Sequence, residues 1–271
     1  MAATGAAVNE LRVDGLQVRR GARTLLQVDS LAFAPGLVHA VLGPNGAGKS
    51  TLLSALAGLD AGSCAAVSLH GRRLADWPAH ALARTRALLL QDHAVPPGHS
   101  AREVVELGRY PHRRRPHPDE PRLAPAALQR TGVAELAQRR YESLSGGERA
   151  RVQLARVLAQ LQPHPQDAAA ARWLLLDEPT AALDLSHQHL VMRLLRELAA
   201  EGLGLVVVLH DLNLALRYAD RVAVVAAGRV DSAGPCDAVL QPARIERVWG
   251  VRCAPVHDAG AAQTVRQFVF S

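Results

Sequence analysis

The sequence has few aromatic residues, few cysteines, a single lysine and no long apolar run. Aromatic residues make up 3% of its 271 residues. The longest apolar stretches, such as residues 203–209, are far shorter than the roughly 18 to 20 residues that cross a bilayer, so any membrane role is expected to need a partner. The first residues lack a basic start followed by an apolar core, so no secretory signal is predicted and the chain is expected to stay in the cytosol.

The three cysteines, Cys64, Cys236 and Cys253, are widely spaced and form no C-x-x-C pair. An odd number of cysteines at such spacing argues against a disulfide framework and against a structural zinc site. We therefore predict buried or idle thiols.

The basic residues give a net charge of +6, which is compatible with a nucleic acid or an acidic membrane surface as partner. They are scattered, however, and the one dense cluster, residues 113–115, lies among prolines and histidines without interleaved aromatics. We expect a solvated loop there and no nucleic-acid partner. Of the 31 basic side chains, 30 are arginine and only Lys49 is lysine, which suggests that position 49 requires an ammonium group.

A glycine-rich loop follows residues 38–42, an apolar segment that predicts a short strand, and it leads into an apolar helical run. The loop matches the pattern G-x-x-x-x-G-K-[ST] in its strand-to-helix context. Its glycines let backbone N–H groups converge on phosphate oxygens, and Lys49 can reach the β- and γ-phosphates. The hydroxyl of Ser50 is placed to ligate Mg²⁺. The residues predicted to bind the nucleotide are Gly43, Pro44, Asn45, Gly46, Ala47, Gly48, Lys49, Ser50 and Thr51.

Two carboxylates, Asp177 and Glu178, follow the continuous apolar run of residues 173–176. Such a run is typical of a parallel strand buried on both faces, and ligands bind at the carboxyl ends of these strands. We predict that Asp177 holds Mg²⁺ and that Glu178 activates the attacking water. A third strand, predicted over residues 204–209, delivers His210 to the same edge, where it is expected to sense the γ-phosphate.

A second anion site is predicted at residues 145–148. Ser145 and Glu148 have the capping-box spacing, so a helix should begin here, and Gly146 and Gly147 leave its first N–H groups bare. Because the phosphate loop already holds its own nucleotide, a second site is redundant unless it contacts the nucleotide from another direction or another molecule.

Together these motifs resemble those of the ATP-binding subunits of ABC transporters. The phosphate loop, Gln91, LSGGE at residues 144–148, LLLDEPT at residues 174–180, Asp184 and His210 follow in the family's order, and the resemblance covers nearly the whole chain. It implies an α/β phosphate-loop NTPase fold with an antiparallel β part and an inserted helical subdomain. The single nucleotide-binding domain, residues 1–271, would comprise a catalytic core (1–91 and 161–271) and a helical signature subdomain (92–160).

The resemblance further implies a head-to-tail homodimer that binds ATP and Mg²⁺. Residues 145–147 of one copy would close over ATP held by residues 43–51 of the other. Gln91 would contact the metal and couple it to the helical subdomain, and Asp184 would lie in the loop that crosses the interface. The implied partners are integral membrane permease subunits and, indirectly, a periplasmic binding protein, with the chain peripheral on the cytoplasmic face of the inner membrane.

Within the family, the chain resembles the ATPases of iron-siderophore, cobalamin and heme importers, and those for hemin in particular. The segments that carry this resemblance are residues 106–112, 152–160 and 181–188 and a Pro/Ala-rich insert at residues 162–171. The expected function is that of an ATP-hydrolysing motor for hemin import. The alternatives are the same motor for a siderophore or cobalamin, and a soluble ABC ATPase outside transport. One phosphate loop and no sustained heptads between Gln91 and Leu144 disfavour the latter.

The chain departs from the family at the adenine site. The family usually places a base-stacking aromatic about two dozen positions before the phosphate loop, whereas residues 18–23 read Val-Arg-Arg-Gly-Ala-Arg and no aromatic precedes Phe33. We predict that Arg19 or Arg20 stacks on the base instead. ATP and GTP should then bind within about tenfold of each other, a gap of roughly 1.4 kcal/mol.

Four histidines outside these motifs are predicted to hold no metal or heme. His187 and His189 stand two apart on a predicted helix and so do not share a face as a metal pair would. His112 and His117 lie in the proline-rich segment and are expected to be solvated or to contact the permease.

Overall fold

The computed structural model describes residues 9–91, 95–167, 170–258 and 261–271. The predicted start of the helical subdomain at residue 92 and residues 168–169 of the insert lie outside this part of the chain. The strands of the described part are β1 (Leu11–Arg20), β2 (Arg23–Phe33), β3 (Val38–Leu42), β4 (Val67–Leu69), β5 (Arg72–Arg73), β6 (Arg86–Leu89), β7 (Trp173–Asp177), β8 (Gly204–Val208), β9 (Arg221–Ala226), β10 (Arg229–Pro235), β11 (Cys253–Asp258) and β12 (Ala261–Phe270). The helices are α1 (Lys49–Leu56), α2 (Ala79–Thr85), α3 (Ala101–Leu107), α4 (Glu120–Arg130), α5 (Gly146–Leu161), α6 (Leu185–Ala200), α7 (Leu212–Tyr218), α8 (Cys236–Val239) and α9 (Pro242–Trp249).

Strands β1 to β10 form one mixed sheet in the order β5-β4-β1-β2-β10-β9-β3-β8-β7-β6. The half from β9 to β6 is parallel, because β3 pairs in parallel with both β8 and β9, β7 with β8, and β6 with β7. The N-terminal half is antiparallel, and a parallel bridge between Arg229 and Gln27 joins it to the core. The predicted antiparallel part is thus an edge of the same sheet.

The central strands β3, β7 and β8 are buried at every residue, as continuous apolar runs in a parallel sheet require. They agree with the predicted strands within one residue at each end. Val208 lies opposite Val41 on one side and Asp177 on the other. The three strands therefore end at one level, and the polar residues that follow them share one edge of the sheet.

Helices α3, α4 and α5 lie between β6 and β7 in the chain and pack on one another. Helix α5 begins as predicted, because Ser145 accepts a hydrogen bond from the Glu148 N–H and the Glu148 side chain accepts one from the Ser145 N–H. No helix in the described residues is both long and apolar enough to span a bilayer.

The three cysteines are free, as predicted. Cys236 is buried, and burial raises the pKa of its thiol to about 12, so no reactive thiolate forms there at neutral pH. Residues 113–115 are exposed, as predicted for a solvated segment.

The prediction for His112 is wrong, because this side chain is only 3% exposed. The short 3₁₀ helix Tyr110–His112 places it against the end of α5, where its Nε2 lies 2.8 Å from the carbonyl oxygen of Gln160. The proline-rich local sequence indicated solvent, whereas a contact with a residue 48 positions later in the chain buries the ring.

Candidate active site

Four strand ends deliver the predicted site residues to one edge of the sheet. The phosphate loop follows β3, Glu178 follows β7, His210 lies two residues after β8, and Gln91 lies two residues after β6. The parallel register aligns the ends of these strands. Gly43 and His210, which are 167 positions apart in the sequence, therefore lie at the same edge of the sheet.

The phosphate loop is held in shape by Lys49 and by its glycines. The Lys49 Nζ donates hydrogen bonds to the carbonyl oxygens of Gly43 at 2.8 Å and Pro44 at 3.0 Å. Gly43 has a φ of 151°, and a Cβ there would overlap the carbonyl oxygen of Val225. Gly48 has a φ of 110° directly before α1. The loop therefore requires glycine at both positions.

Burial lowers the pKa of the Lys49 ammonium, while the negative charges of Glu178 and Asp177 oppose this shift. Lys49 is 5% exposed, so its positive charge is buried inside the loop. Such a buried cation next to bare N–H groups at the start of α1 favours a polyanionic ligand.

Ser50 and Asp177 are brought together by α1 and β7, and the Ser50 hydroxyl donates a hydrogen bond to the Asp177 carboxylate at 3.3 Å. Burial raises the pKa of Asp177, and the nearby Glu178 raises it further. A hydroxyl and a carboxylate are hard oxygen ligands that fit Mg²⁺, which usually binds one or two carboxylates plus substrate phosphates. No cluster of three or more His, Cys, Asp or Glu side chains that could hold a metal occurs in the described residues.

The Glu178 carboxylate and the His210 ring are in contact, with Oε1 against Nε2. Glu178 has a φ of 51°, in the left-handed region that is uncommon for residues other than glycine. This backbone conformation occurs where the strand leaves the sheet, next to the phosphate loop. The pair therefore joins the ends of β7 and β8 at the centre of the site.

A cavity of about 510 Å³ extends from the phosphate loop, a size within the range of small-molecule sites. One wall comprises residues of the phosphate loop, with Glu178 beside them. The rest of the wall is formed by residues 23–25 at the start of β2 and by the turn residues Ala227 and Gly228. Sequence reasoning missed this wall, because no local pattern shows that β2 and the β9–β10 turn meet at the loop.

The prediction that Arg19 or Arg20 stacks on the base stays a prediction. Among the described residues that line this cavity is Arg23, and neither Arg19 nor Arg20. Arg20 is the cross-strand partner of Arg23 where the β1–β2 hairpin turns, and Arg19 lies opposite Thr24, so all three arginines lie at the same end of the hairpin.

A second cavity of about 310 Å³ lies between the site and α5. It is lined by Gln91, by Asp177 and Glu178, and by Ala150 and Gln153 of α5. Gln91 thus lines the same cavity as both carboxylates and the helix that begins after Ser145. Glu178 contributes to the walls of both cavities.

Residues 145–147 lie apart from the phosphate loop of their own chain, and none of them is among the described residues that line the first cavity. Ser145 and Gly146 are exposed, and a Cβ on Gly146 would meet open space. Asp184 is the N-cap of α6, where it accepts a hydrogen bond from the His187 N–H at 2.9 Å. Its contacts with His187 and Ser186 hold the pKa of Asp184 well below its usual range.

Comparison with known proteins identifies related sequences and structures. Residues 26–181 match the family model described as ABC transporter. The hemin import ATP-binding protein HmuV of Gloeobacter violaceus is 48% identical over 89% of this chain and 88% of its own length. The protein of that name from Burkholderia pseudomallei is 48% identical over 92% of this chain and 96% of its own length.

Two solved structures share the fold. One is a putative metal-chelate type ABC transporter in an inward-facing conformation, with a TM-score of 0.75 at 24% identity, covering 97% of this chain and 98% of that chain. The other is an ATP-binding cassette solved as a dimer bound to ADP and phosphate, with a TM-score of 0.70 at 26% identity, covering 83% and 98%. The predicted phosphate-loop α/β fold is thereby confirmed.

Proposed function

Because this chain belongs to the ABC transporter family, whose ATP-binding subunits are ATPases coupled to transport, we propose that it is the ATP-hydrolysing motor of a hemin importer. The observation that carries the cargo assignment is 48% identity to hemin import ATP-binding proteins over 89% and 92% of the chain. The site geometry supports the ATPase activity, since a phosphate loop, two carboxylates and a histidine meet at one edge of the sheet.

In the proposed reaction, the N–H groups of residues 43–51 and the Lys49 ammonium bind the β- and γ-phosphates of ATP. Glu178 orients the attacking water and polarises its O–H bond, so that the water oxygen attacks the γ-phosphorus in line with the departing ADP. His210 holds the Glu178 carboxylate through the contact between Nε2 and Oε1, and we assign it the contact with the γ-phosphate. The positive φ of Glu178 fixes the approach of its side chain to the site.

Ser50, Asp177 and Gln91 are the residues that we propose hold Mg²⁺. The hydrogen bond between Ser50 and Asp177 and the position of Gln91 beside Asp177 support this assignment. When bound, Mg²⁺ supplies neutralisation of the charge on the phosphate oxygens. The raised pKa of Asp177, caused by burial, is the electrostatic cost that a nearby cation offsets.

We propose that two copies share each ATP, with Ser145, Gly146 and Gly147 of one closing over the phosphate loop of the other and Asp184 crossing the interface. The exposure of residues 145–146, away from their own loop, supports this arrangement.

We retain the division into a core of residues 1–91 and 161–271 and a helical signature subdomain of residues 92–160. The partners would be membrane permease subunits and, through them, a periplasmic binding protein, without nucleic acid. The chain would then be peripheral on the cytoplasmic face of the membrane.

Deletion of the gene in its source organism tests the cargo. We expect loss of growth on hemin as the sole iron source, with growth on ferric siderophores and cobalamin uptake unchanged. A plasmid copy should restore hemin growth, and the same copy carrying Lys49→Ala should not, because it cannot bind nucleotide. Loss of siderophore or cobalamin uptake with hemin growth intact would transfer the assignment to that cargo.

Arg23 leads to a prediction about base selectivity. Outside the phosphate loop, the cavity wall offers a guanidinium and backbone groups but no aromatic side chain in its described residues. Phosphate and metal contacts are the same for every nucleoside triphosphate, so ATP and GTP should bind within about tenfold of each other. Arg23→Tyr should tighten both by about fivefold, because an aromatic ring stacks on a base about 1 kcal/mol better than an exposed guanidinium does.

Direct titration of the wild type, Arg23→Tyr, Arg20→Tyr and Arg19→Tyr with ATP and GTP measures this effect. Tightening by Arg20→Tyr or Arg19→Tyr in place of Arg23→Tyr would assign the base to the end of β1, where Arg20 is the cross-strand partner of Arg23. A strong preference for ATP in the wild type that Arg23→Tyr leaves unchanged would contradict the assignment of the base to this wall.

A further inference from the structure

The C-terminal end of α5 has an unusual set of side-chain contacts. The last four carbonyl groups of a helix have no partner within the helix. In α5, the Arg109 Nη1 donates to the carbonyl oxygens of Ala159 at 2.7 Å and of Gln162, just beyond the helix, at 2.8 Å. The His112 Nε2–H donates to Gln160, and the Arg172 Nη1 donates to Leu161. We refer to Arg109, His112 and Arg172 as the helix clamp.

Two members of the clamp, Arg109 and His112, are buried, and further contacts hold Arg109 in place. Arg109 is 7% exposed and forms a two-pronged ion pair with Glu120, at 2.7 Å and 3.1 Å. Burial lowers the pKa of His112, and the positive charge of Arg109 contributes to this, so the ring is neutral at physiological pH and its Nε2 carries a single donated proton. Cations at the negative end of the α5 dipole are electrostatically favourable.

The clamp joins α5 to three parts of the chain that are distant in sequence. Arg109 and His112 come from the turn after α3, Glu120 begins α4, and Arg172 directly precedes β7.

In addition, the Gln160 side chain donates to the carbonyl oxygens of Ala83 at 2.8 Å and Arg86 at 3.2 Å, at the junction of α2 and β6. This end of α5 is therefore the point where the helical segment is fastened to the sheet.

We propose that the helix clamp is a positioning device that sets the direction of α5, and thereby the place of Ser145 at its other end, for closure over the ATP of the partner copy. This inference rests on the proposed function. The 16 residues of α5 span about 24 Å, so a tilt of about 5° at the clamp would move the far end by about 2 Å. Displacements of about 1 Å can cost about 10²-fold in rate when groups must meet in one geometry.

The test uses ATP-driven dimerisation in a Glu178→Gln background, in which hydrolysis cannot reopen the dimer. Adding Arg109→Ala should leave ATP binding by the monomer within about twofold, because the phosphate loop is untouched. The ATP concentration for half-maximal dimerisation should rise at least about tenfold. His112→Ala should act in the same direction, and His112→Gln should restore dimerisation, because its amide can still donate to Gln160.

Arg130→Ala is the matched control. Arg130 and Glu201 form another two-pronged ion pair, which joins α4 to the end of α6. Neither of its two hydrogen bonds goes to α5. Removing it should leave ATP-driven dimerisation unchanged. If Arg109→Ala reduces folding, as a thermal melt would reveal, the two His112 variants decide the question.

The possible outcomes separate this inference from the function on which it rests. If Glu178→Gln alone forms no dimer with ATP, the proposed shared site fails. If Glu178→Gln dimerises and neither Arg109→Ala nor His112→Ala weakens dimerisation, the positioning role is overturned. Equal weakening by His112→Ala and His112→Gln, or by Arg130→Ala, would also overturn it, because the effect would then not depend on the hydrogen bonds to α5.

Discussion

Replacement of Glu178 by glutamine should lower ATP turnover by roughly two to four orders of magnitude, the usual size of general-base effects. The amide keeps the shape of the side chain and a hydrogen bond to water, but it cannot accept the proton or polarise the O–H bond. ATP binding should survive, because the phosphate loop and the pair of Ser50 and Asp177 are unchanged. The variant should therefore accumulate as an ATP-bound dimer.

Steady-state phosphate release and gel filtration with and without ATP measure both effects. Glu197→Gln is the control, since Glu197 is exposed on α6, and it should hydrolyse ATP at the wild-type rate. A Glu178→Gln variant that stays monomeric and retains near-normal ATPase would show that another group activates the water.

The phosphate loop and the two carboxylates could be predicted from the sequence because each follows a segment with a clear hydrophobic pattern. The runs before Gly43 and Asp177 are continuously apolar, as buried parallel strands must be, and the carboxyl ends of such strands share one edge. The helix start at Ser145 was equally readable, since a capping box is a local signal.

The residues that line the cavity outside the phosphate loop, at the start of β2 and in the β9–β10 turn, could not be predicted in this way. Arg23 and Gly228 meet there because β2 bridges to β10 at a single pair, Gln27 and Arg229. Such a long-range register depends on the packing of the whole sheet and leaves no periodic trace in the sequence. The family spacing indicates Arg19 and Arg20 at the end of β1, whereas Arg23 of the cavity wall begins β2 directly across from Arg20.

His112 illustrates the same limit for burial. Its neighbours are proline and arginine, which are typical of solvated loops, and only the approach of the α5 end gives the ring a partner. Arg109 is likewise a charged residue whose burial becomes favourable only beside Glu120 and the carbonyl groups of α5. Composition alone does not reveal such tertiary contacts.

The central claim is that each ATP site is built from two copies of the chain. Lys49→Ala should abolish nucleotide binding in its own protomer, because the ammonium is the buried cation of the loop. Ser145→Arg should leave binding by the monomer intact and block closure over the partner's ATP, because a bulky side chain would fill the space beside the bare helix start. Each variant alone should have almost no ATPase activity.

Mixing the two variants tests this claim most directly. A hybrid dimer has one site with both defects and one site in which the loop and the signature are both wild type. If the chains mix randomly, about half of the dimers are hybrid, so the mixture should regain up to about a quarter of the wild-type activity. Complete absence of regained activity, with hybrid dimers demonstrated by affinity capture of differently tagged copies, would contradict the shared site.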